Sequence, residues 1–204
     1  MNENMKMKVK KVLRILRWVA VVFVVLLVAR LPFYLRNENT KEQVAKIHAT
    51  KLTMDDVMGV NLPPDPGTEA DKTVAGIDAN KNGIRDDVEL AIFKEYPNSA
   101  KTRAVLLQYA LALQMEVMQP IVNIGTVTAV AEKTSSGHYC IGSITSRDDI
   151  EKFIKIGDIL HEFVEGRQLN TEDRKKAQHD FYQENLGSYS TVLSESCDLD
   201  TSKL

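Results

Sequence analysis

The strongest hydrophobic pattern in the chain is an unbroken apolar run near the N-terminus, from Trp18 to Ala29. A helix of this length spans only about 18 Å, which is short of the roughly 30 Å hydrocarbon core of a bilayer. Extending the segment to residues 15–35 gives a helix of about 31 Å. Arg17 and Arg30 then lie near its two ends, where long cationic side chains can reach water. The pattern predicts one transmembrane segment.

The same segment also fits a cleaved secretory signal, because basic residues precede a short apolar core. Cleavage normally requires small residues before the cut, and the nearest candidate, Leu27 to Ala29, has a bulky leucine in the first of these positions. We therefore favour an uncleaved signal anchor, with secretion after cleavage near Ala29 as the alternative. Both interpretations place the body of the protein outside the cytoplasm.

Between the apolar run and the folded part, residues 37–67 are polar with a weak apolar rhythm. They end in a stretch, Leu62 to Gly67, in which three prolines remove backbone donors and fix φ. The sequence therefore predicts a cytoplasmic tail and anchor over residues 1–36, a stalk and linker over residues 37–67, and an extracytoplasmic domain over residues 68–204.

Within the predicted domain, apolar residues recur at three- and four-residue spacing, as in amphipathic helices. The predicted helices begin at polar residues that can cap a helix N-terminus: Asp87, Asn98 or Ser99, Ser146 with Asp149, and Asn170 or Thr171. Residues 121–134 mix β-branched residues with alanine, so helix and strand are both open there. About four helices and few strand signals predict an all-α fold, a small helical bundle behind the N-terminal helix.

Charge is divided unevenly between these parts. Residues 1–36 carry eight Lys and Arg against Glu3 alone, whereas residues 37–204 carry 18 Lys and Arg against 27 Asp and Glu. The cations before the apolar run predict a single-pass protein with a cytoplasmic N-terminus and a periplasmic or extracellular body. An acidic body argues against nucleic acid as a partner. The expected partners are the membrane, through the N-terminal helix, and an unidentified protein or other envelope component.

One segment has oxygen-bearing side chains at the spacing of a metal-binding loop. Residues 78–89 read DANKNGIRDDVE and match the pattern D-x-[DN]-x-[DN]-G-x5-E at every position. Such a loop offers the six to eight oxygen ligands that Ca²⁺ prefers, and Gly83 permits its sharp turn. The predicted ligands are the side chains of Asp78, Asn80, Asn82, Asp86 and Glu89 and the main-chain carbonyl of Ile84.

This segment resembles the EF-hand loop and, more loosely, the single calcium loops of exported bacterial proteins. The resemblance covers 12 of 204 residues and implies a Ca²⁺ site. Position 8 is Arg85, no helical pattern precedes Asp78 and no second loop occurs, so we expect a lone loop-helix site. Three carboxylates imply an affinity on the order of 10⁻⁴–10⁻³ M, as in extracellular modules. The alternative is a turn at Asn82–Gly83 that caps the next helix without a metal ion.

The cysteines and histidines give two further predictions. Cys140 and Cys197 are the only cysteines, and an oxidising compartment favours a disulfide between them. His161 begins an H-E-x-x-H pattern whose last position is Glu165, so the helical zinc pair is broken. An enzyme site could be built from His138 and His161 only if the fold brings them together in a cleft.

From these patterns we expect a non-enzymatic, membrane-anchored extracytoplasmic domain that binds calcium and serves as a structural or protein-interaction module. No catalytic residue is predicted, because the sequence contains no nucleotide-binding or nucleophile-elbow motif. An envelope enzyme around His138 and His161 is the second hypothesis. A calcium-dependent regulator is the third.

Overall fold

All regular structure in residues 3–183 and 197–204, the residues that this computed structural model describes, is helical. The all-α prediction is therefore confirmed, and within the ambiguous stretch 121–134 the residues from 124 onward are helical. The helices are α1 (Glu3–Ala49), α2 (Met54–Met58), α3 (Asp86–Glu95), α4 (Ala100–Met118), α5 (Ile124–Ser143), α6 (Ile150–Gln168) and α7 (Glu172–Gln183). Short 3-10 helices span Gly67–Asp71 and Thr201–Lys203.

The chain divides into two units, Met1–Glu42 and Gln43–Leu204. The first unit consists mainly of α1, and its large apolar side chains between Val12 and Leu35 are all solvent-exposed. In the part of the chain that the structure describes, α1 is the one helix long and apolar enough to cross a membrane. This property is consistent with the predicted membrane association.

The second unit is built around α4, which packs against α2, α3, α5, α6 and α7. Every residue from 103 to 114 is buried, so α4 has no polar face. Its buried polar side chains bind main-chain groups instead: Arg103 Nε donates to the Val57 carbonyl at 3.0 Å, and the side chain of Gln108 accepts from the Asp198 amide at 2.9 Å. A helix surrounded by other helices must be buried on all sides, which explains its apolar sequence.

Several helix starts follow capping chemistry. Thr53 and Asp56 form a capping box at the start of α2, and Ser99 caps α4 through a bond to the Thr102 amide. Helix α3 begins at Asp86, one residue before the predicted Asp87, and its N-cap residue, Arg85, makes no side-chain capping bond. The prediction for α6 needs correction, because this helix begins at Ile150 with Asp149 as its cap. The Ser146 hydroxyl donates to Asp148 in the preceding turn and lies outside the helix. A predicted end of the last helix at Gly187 lies outside the described residues.

Residues 43–67, predicted as stalk and linker, lie within the second unit. Ile47, Leu52 and Val57 are each at most 5% exposed. Ile47 packs in a cluster with Phe181 and with Val127, Ala129 and Val130 of α5. The end of α1, Leu52 and Val57 of α2 therefore contribute apolar side chains to the core of this unit.

Two fully buried arginines hold the long segment between α2 and α3. Arg174 of α7 donates to the Asp71 carboxylate at 2.6 Å and to the main-chain carbonyls of Thr73 and Val74 at 3.0 and 3.1 Å. Arg85 donates to the Gln168 carbonyl at the end of α6 at 2.9 Å and pairs with Asp87. Because buried guanidinium groups need such partners, the segment is fixed against α6 and α7.

The predicted disulfide between Cys140 and Cys197 is present, with the two Cα atoms 5.3 Å apart. It ties residues 197–204 to α5. In this segment Leu199 and Leu204 pack against the core, and the Asp198 carboxylate accepts a hydrogen bond from the Leu52 amide at 2.9 Å. The C-terminal segment thus closes one side of the bundle.

Candidate functional site

The loop over residues 78–89 is wound around its own side chains. The Asp78 carboxylate accepts hydrogen bonds from the amides of Asn82 at 3.1 Å and Gly83 at 2.9 Å. The Asn82 side chain in turn accepts from the Ile84 amide at 2.9 Å. Such side-chain-to-backbone bonds are the usual way in which Asp and Asn form tight turns. They bring the first half of the loop beside the start of α3.

Two carboxylates at the start of α3 are buried inside this loop. Asp86 is 0% and Glu89 is 1% exposed. Asp86 accepts the Ala79 amide at 3.0 and 3.1 Å, and Glu89 accepts the side-chain amide of Asn80 at 3.0 Å. The loop therefore satisfies them by neutral hydrogen-bond donors. Across residues 3–183 and 197–204, no Lys, Arg or His is paired with either carboxylate.

The electrostatics at Asp86 and Glu89 are those of buried acidic groups without a counter-charge among the described residues. Burial raises the pKa of Glu89 to about 7, and the nearby Asp56 and Asp86 act in the same direction. Burial also raises the pKa of Asp86, with Asp78 and Asp87 adding to the effect. A carboxyl group shifted upward in this way is poised to gain stability from a cation.

The donor set fits a hard cation such as Ca²⁺, because all six predicted ligands are oxygen atoms. Two side-chain amides must reorient to complete it. The amide nitrogen of Asn80 now faces Glu89 and also donates to the Asn61 carbonyl at 3.0 Å. The amide nitrogen of Asn82 is buried without a partner among the described residues. Rotation of the side-chain amides of Asn80 and Asn82 would place each amide oxygen where the amide nitrogen now lies.

The structure brings these ligands into one loop but does not gather the charged ones into a cluster. Within the described ranges, no three side chains of His, Cys, Asp or Glu converge as a metal-binding group. Only three of the six predicted ligands are carboxylates. The other three are two side-chain amides and a main-chain carbonyl. Calcium binding therefore remains a prediction.

Arg85, at position 8 of the loop, was not assigned a role by its sequence pattern. It is 0% exposed and is directed toward α6, where it reaches the Gln168 carbonyl. The residue therefore anchors the loop to the bundle and does not pair with a second loop. No local signal reveals this, because the partner is 83 residues away.

A second group of functional side chains lies where α4, α5 and α6 meet. His138 Nδ1 of α5 lies 2.8 Å from His161 Nε2 of α6. The Tyr109 ring of α4 packs against both imidazoles, with ring centroids 4.7 Å from His138 and 5.2 Å from His161. The Tyr109 hydroxyl donates to the Glu165 carboxylate. The structure thus brings the two histidines together.

Burial lowers the pKa of both histidines, and in His138 the neighbouring His161 adds to the effect. The Glu165 carboxylate opposes the shift in both rings, and the Gly157 carbonyl also accepts a hydrogen bond from His161. Neutral imidazoles of this kind can act as a base or ligate a metal ion. Sequence patterns could not assemble this group, since its members come from three helices.

The chain matches no protein-family model, no curated protein and no solved structure. We therefore infer its function from the geometry of the loop and of the histidine pair.

Proposed function

We propose that this protein is a membrane-anchored extracytoplasmic domain that binds one Ca²⁺ ion in the loop over residues 78–89 and serves as a structural or protein-interaction module. One observation carries the proposal: Asp86 and Glu89 are buried side by side in this loop with only neutral donors and other carboxylates around them.

Buried charges in proteins are paired with opposite charges or coordinate metal ions, because an isolated buried charge is costly. Without a cation, the buried Glu89 carboxylate can lose its charge only by taking up a proton. Its raised pKa reflects this tendency. At neutral pH about half of the Glu89 carboxyls would be ionised with no counter-charge. A divalent cation bound in the loop would supply the missing counter-charge, whereas a turn that only caps the helix would not.

The location of the domain supports the same conclusion. The exposed apolar segment of α1 suits an anchor, and the cationic residues before it favour an exported body. A disulfide is stable in the oxidising compartments outside the cytoplasm. A loop with three carboxylates has the affinity class of extracellular modules, about 10⁻⁴–10⁻³ M, which suits an ion that stabilises the fold.

The proposal is tested by calorimetric titration of Ca²⁺ into the full-length chain in detergent micelles. We expect saturable binding of one equivalent, which Glu89→Gln and Asp78→Asn abolish because each removes a ligand charge. The matched control is Asp55→Asn, which removes an exposed carboxylate on the adjacent α2 and should leave binding unchanged. Circular dichroism of each variant establishes that it is folded.

Two outcomes would change the proposal. Absence of binding up to millimolar Ca²⁺ in a folded chain would reduce the loop to a turn that caps α3. Binding tighter than about 10⁻⁵ M, accompanied by a change in helical packing, would instead favour a calcium-dependent regulator. Thermal melts with and without Ca²⁺, read by near-UV circular dichroism, separate stabilisation from such a rearrangement.

A further inference from the structure

We propose that His138 and His161 form a second metal site, for a divalent transition-metal ion such as Zn²⁺, where α5 meets α6. The site is independent of the calcium loop in position and chemistry, because it offers imidazole nitrogen in place of oxygen. Imidazole is a ligand for Zn²⁺, Cu²⁺ and Ni²⁺, whereas Ca²⁺ takes oxygen ligands.

The spacing of the two rings suits a shared ion. His138 Nδ1 and His161 Nε2 face each other at 2.8 Å. Zinc–nitrogen bonds are about 2.0–2.1 Å long, so a tetrahedral ion can bind both atoms once the rings move apart to about 3.3 Å between these nitrogens. Without metal, one proton lies between the two nitrogens. When an ion binds, that proton moves to the outer nitrogen of its own ring, and both imidazoles stay neutral.

The surroundings are those of a metal-binding histidine. Histidine ligands usually donate their other N–H to a carbonyl or carboxylate, which fixes the orientation of the ring. His161 has such a partner in the Gly157 carbonyl. The Glu165 carboxylate lies close enough to both rings to act on their charge, and the Tyr109 hydroxyl holds it in place. This negative charge would offset that of the ion.

The two imidazole rings are also held in position in the absence of a metal ion. Tyr109 is 1% exposed and packs against both imidazoles from the core side. At Gly137, α5 lies close to α4, since a Cβ atom there would lie 3.2 Å from the Tyr109 Cα atom. His138 itself is exposed to solvent. Water can therefore complete the coordination, and no third His, Cys, Asp or Glu of the described chain joins the pair as a ligand group.

The test is a calorimetric titration of Zn²⁺ into the full-length chain in detergent micelles, in calcium-free buffer. We expect saturable binding of one equivalent that is weakened in both His138→Ala and His161→Ala. Loss of an outer-shell partner costs about 10–100-fold in affinity, so loss of a ligand should cost at least as much. The matched control is His179→Ala, an exposed histidine on α7 that should leave zinc binding unchanged.

A second probe identifies the ligands and does not depend on heats. Co²⁺ bound by imidazole gives visible absorption bands, which His138→Gln should remove while the helical circular dichroism stays unchanged. Asp78→Asn should leave zinc binding intact even if it abolishes calcium binding, so the two proposals fail separately. Absence of saturable zinc binding, or binding that is equal in wild type, His138→Ala and His161→Ala, would overturn the inference.

Discussion

Gly83 is the residue at which the loop tolerates least change. Its φ is +85°, a conformation that favours glycine, and a Cβ atom there would lie 2.7 Å from Leu111 Cδ1 of α4. We expect Gly83→Ala to lower the free energy of unfolding by about 1–3 kcal/mol, because strain and overpacking add. Denaturant titration of the full-length chain in micelles measures the change.

The control for this substitution is Gly157→Ala, in the interior of α6. A Cβ atom at Gly157 meets nothing within 4 Å. Because glycine weakens a helix interior, the control should stabilise the chain by about 0.5–1 kcal/mol. Equal stability of Gly83→Ala and wild type would show that the loop does not adopt this turn.

Glu89 makes the stability of the calcium-free chain depend on pH. Its pKa is about 7 in the fold against an ordinary value of 4.5, so between these values the folded state holds the proton that the unfolded state has lost. The free energy of unfolding should therefore fall as pH rises through this window and level off above it. In EGTA, we expect the Tm to be higher at pH 5 than at pH 8.

Glu89→Gln isolates this contribution, because glutamine keeps the shape of the side chain without its titration. The variant should lose most of the difference in Tm between pH 5 and pH 8 that wild type shows in EGTA. If both chains follow the same pH profile, Glu89 is not the titrating group and its carboxylate is not an unpaired buried charge.

Among the elements, the disulfide gives the largest single prediction. It links residues separated by 57 positions and holds the 197–204 segment on the core. On the chain-entropy model, closing a loop of this length stabilises the fold by about 4 kcal/mol. We expect the Cys140→Ser/Cys197→Ser chain to lose that amount in denaturant titrations. Wild type in reductant should lose as much, and a reductant-insensitive stability would contradict the prediction.

The helices differ in how far their sequences predicted them. Helices α3 and α4 were predictable because their apolar spacing lies within the segment itself, and α4 also has its cap, Ser99, there. For α5 the β-branched residues left strand open, and only packing against α4 decides for helix. The apolar face of α6 was predictable as a pattern, yet Ile150 and Ile154 remain 59% and 53% exposed while Leu160 and Val164 are buried. Periodicity in the sequence identifies the apolar face of a helix, but not how much of that face is buried against other helices.

For the molecule as a whole, the N-terminal helix predicts a testable topology. We expect the full-length chain to remain in the membrane fraction after an alkaline wash, and an alkaline phosphatase fused after Leu204 to be active in a bacterial host, because the proposed topology places the body outside the cytoplasm. Replacing Lys8, Lys10 and Lys11 by glutamine should reduce phosphatase activity by weakening the orientation signal. A soluble, shorter product that begins after Ala29 would instead establish cleavage.

The two candidate sites were predictable to different degrees for a physical reason. The calcium-type loop is local, so residues 78–89 carry all of its ligands in one pattern. The histidine pair depends on the packing of α5 against α6, and the main-chain carbonyls of Gln168 and Val74 that bind Arg85 and Arg174 lie 83 and 100 residues away. Short-range spacing contains no information about such contacts.

The burial of α4 on every side has a consequence for how this protein can vary. Between residues 103 and 114 the helix has no position that faces solvent, so every substitution there alters a contact with a neighbouring helix. Changes that remain neutral must accumulate on outer helices such as α6 and α7, where Lys155 and Lys176 are exposed. In homologues, we expect the α4 segment to be the slowest to diverge and the best marker by which distant relatives are found.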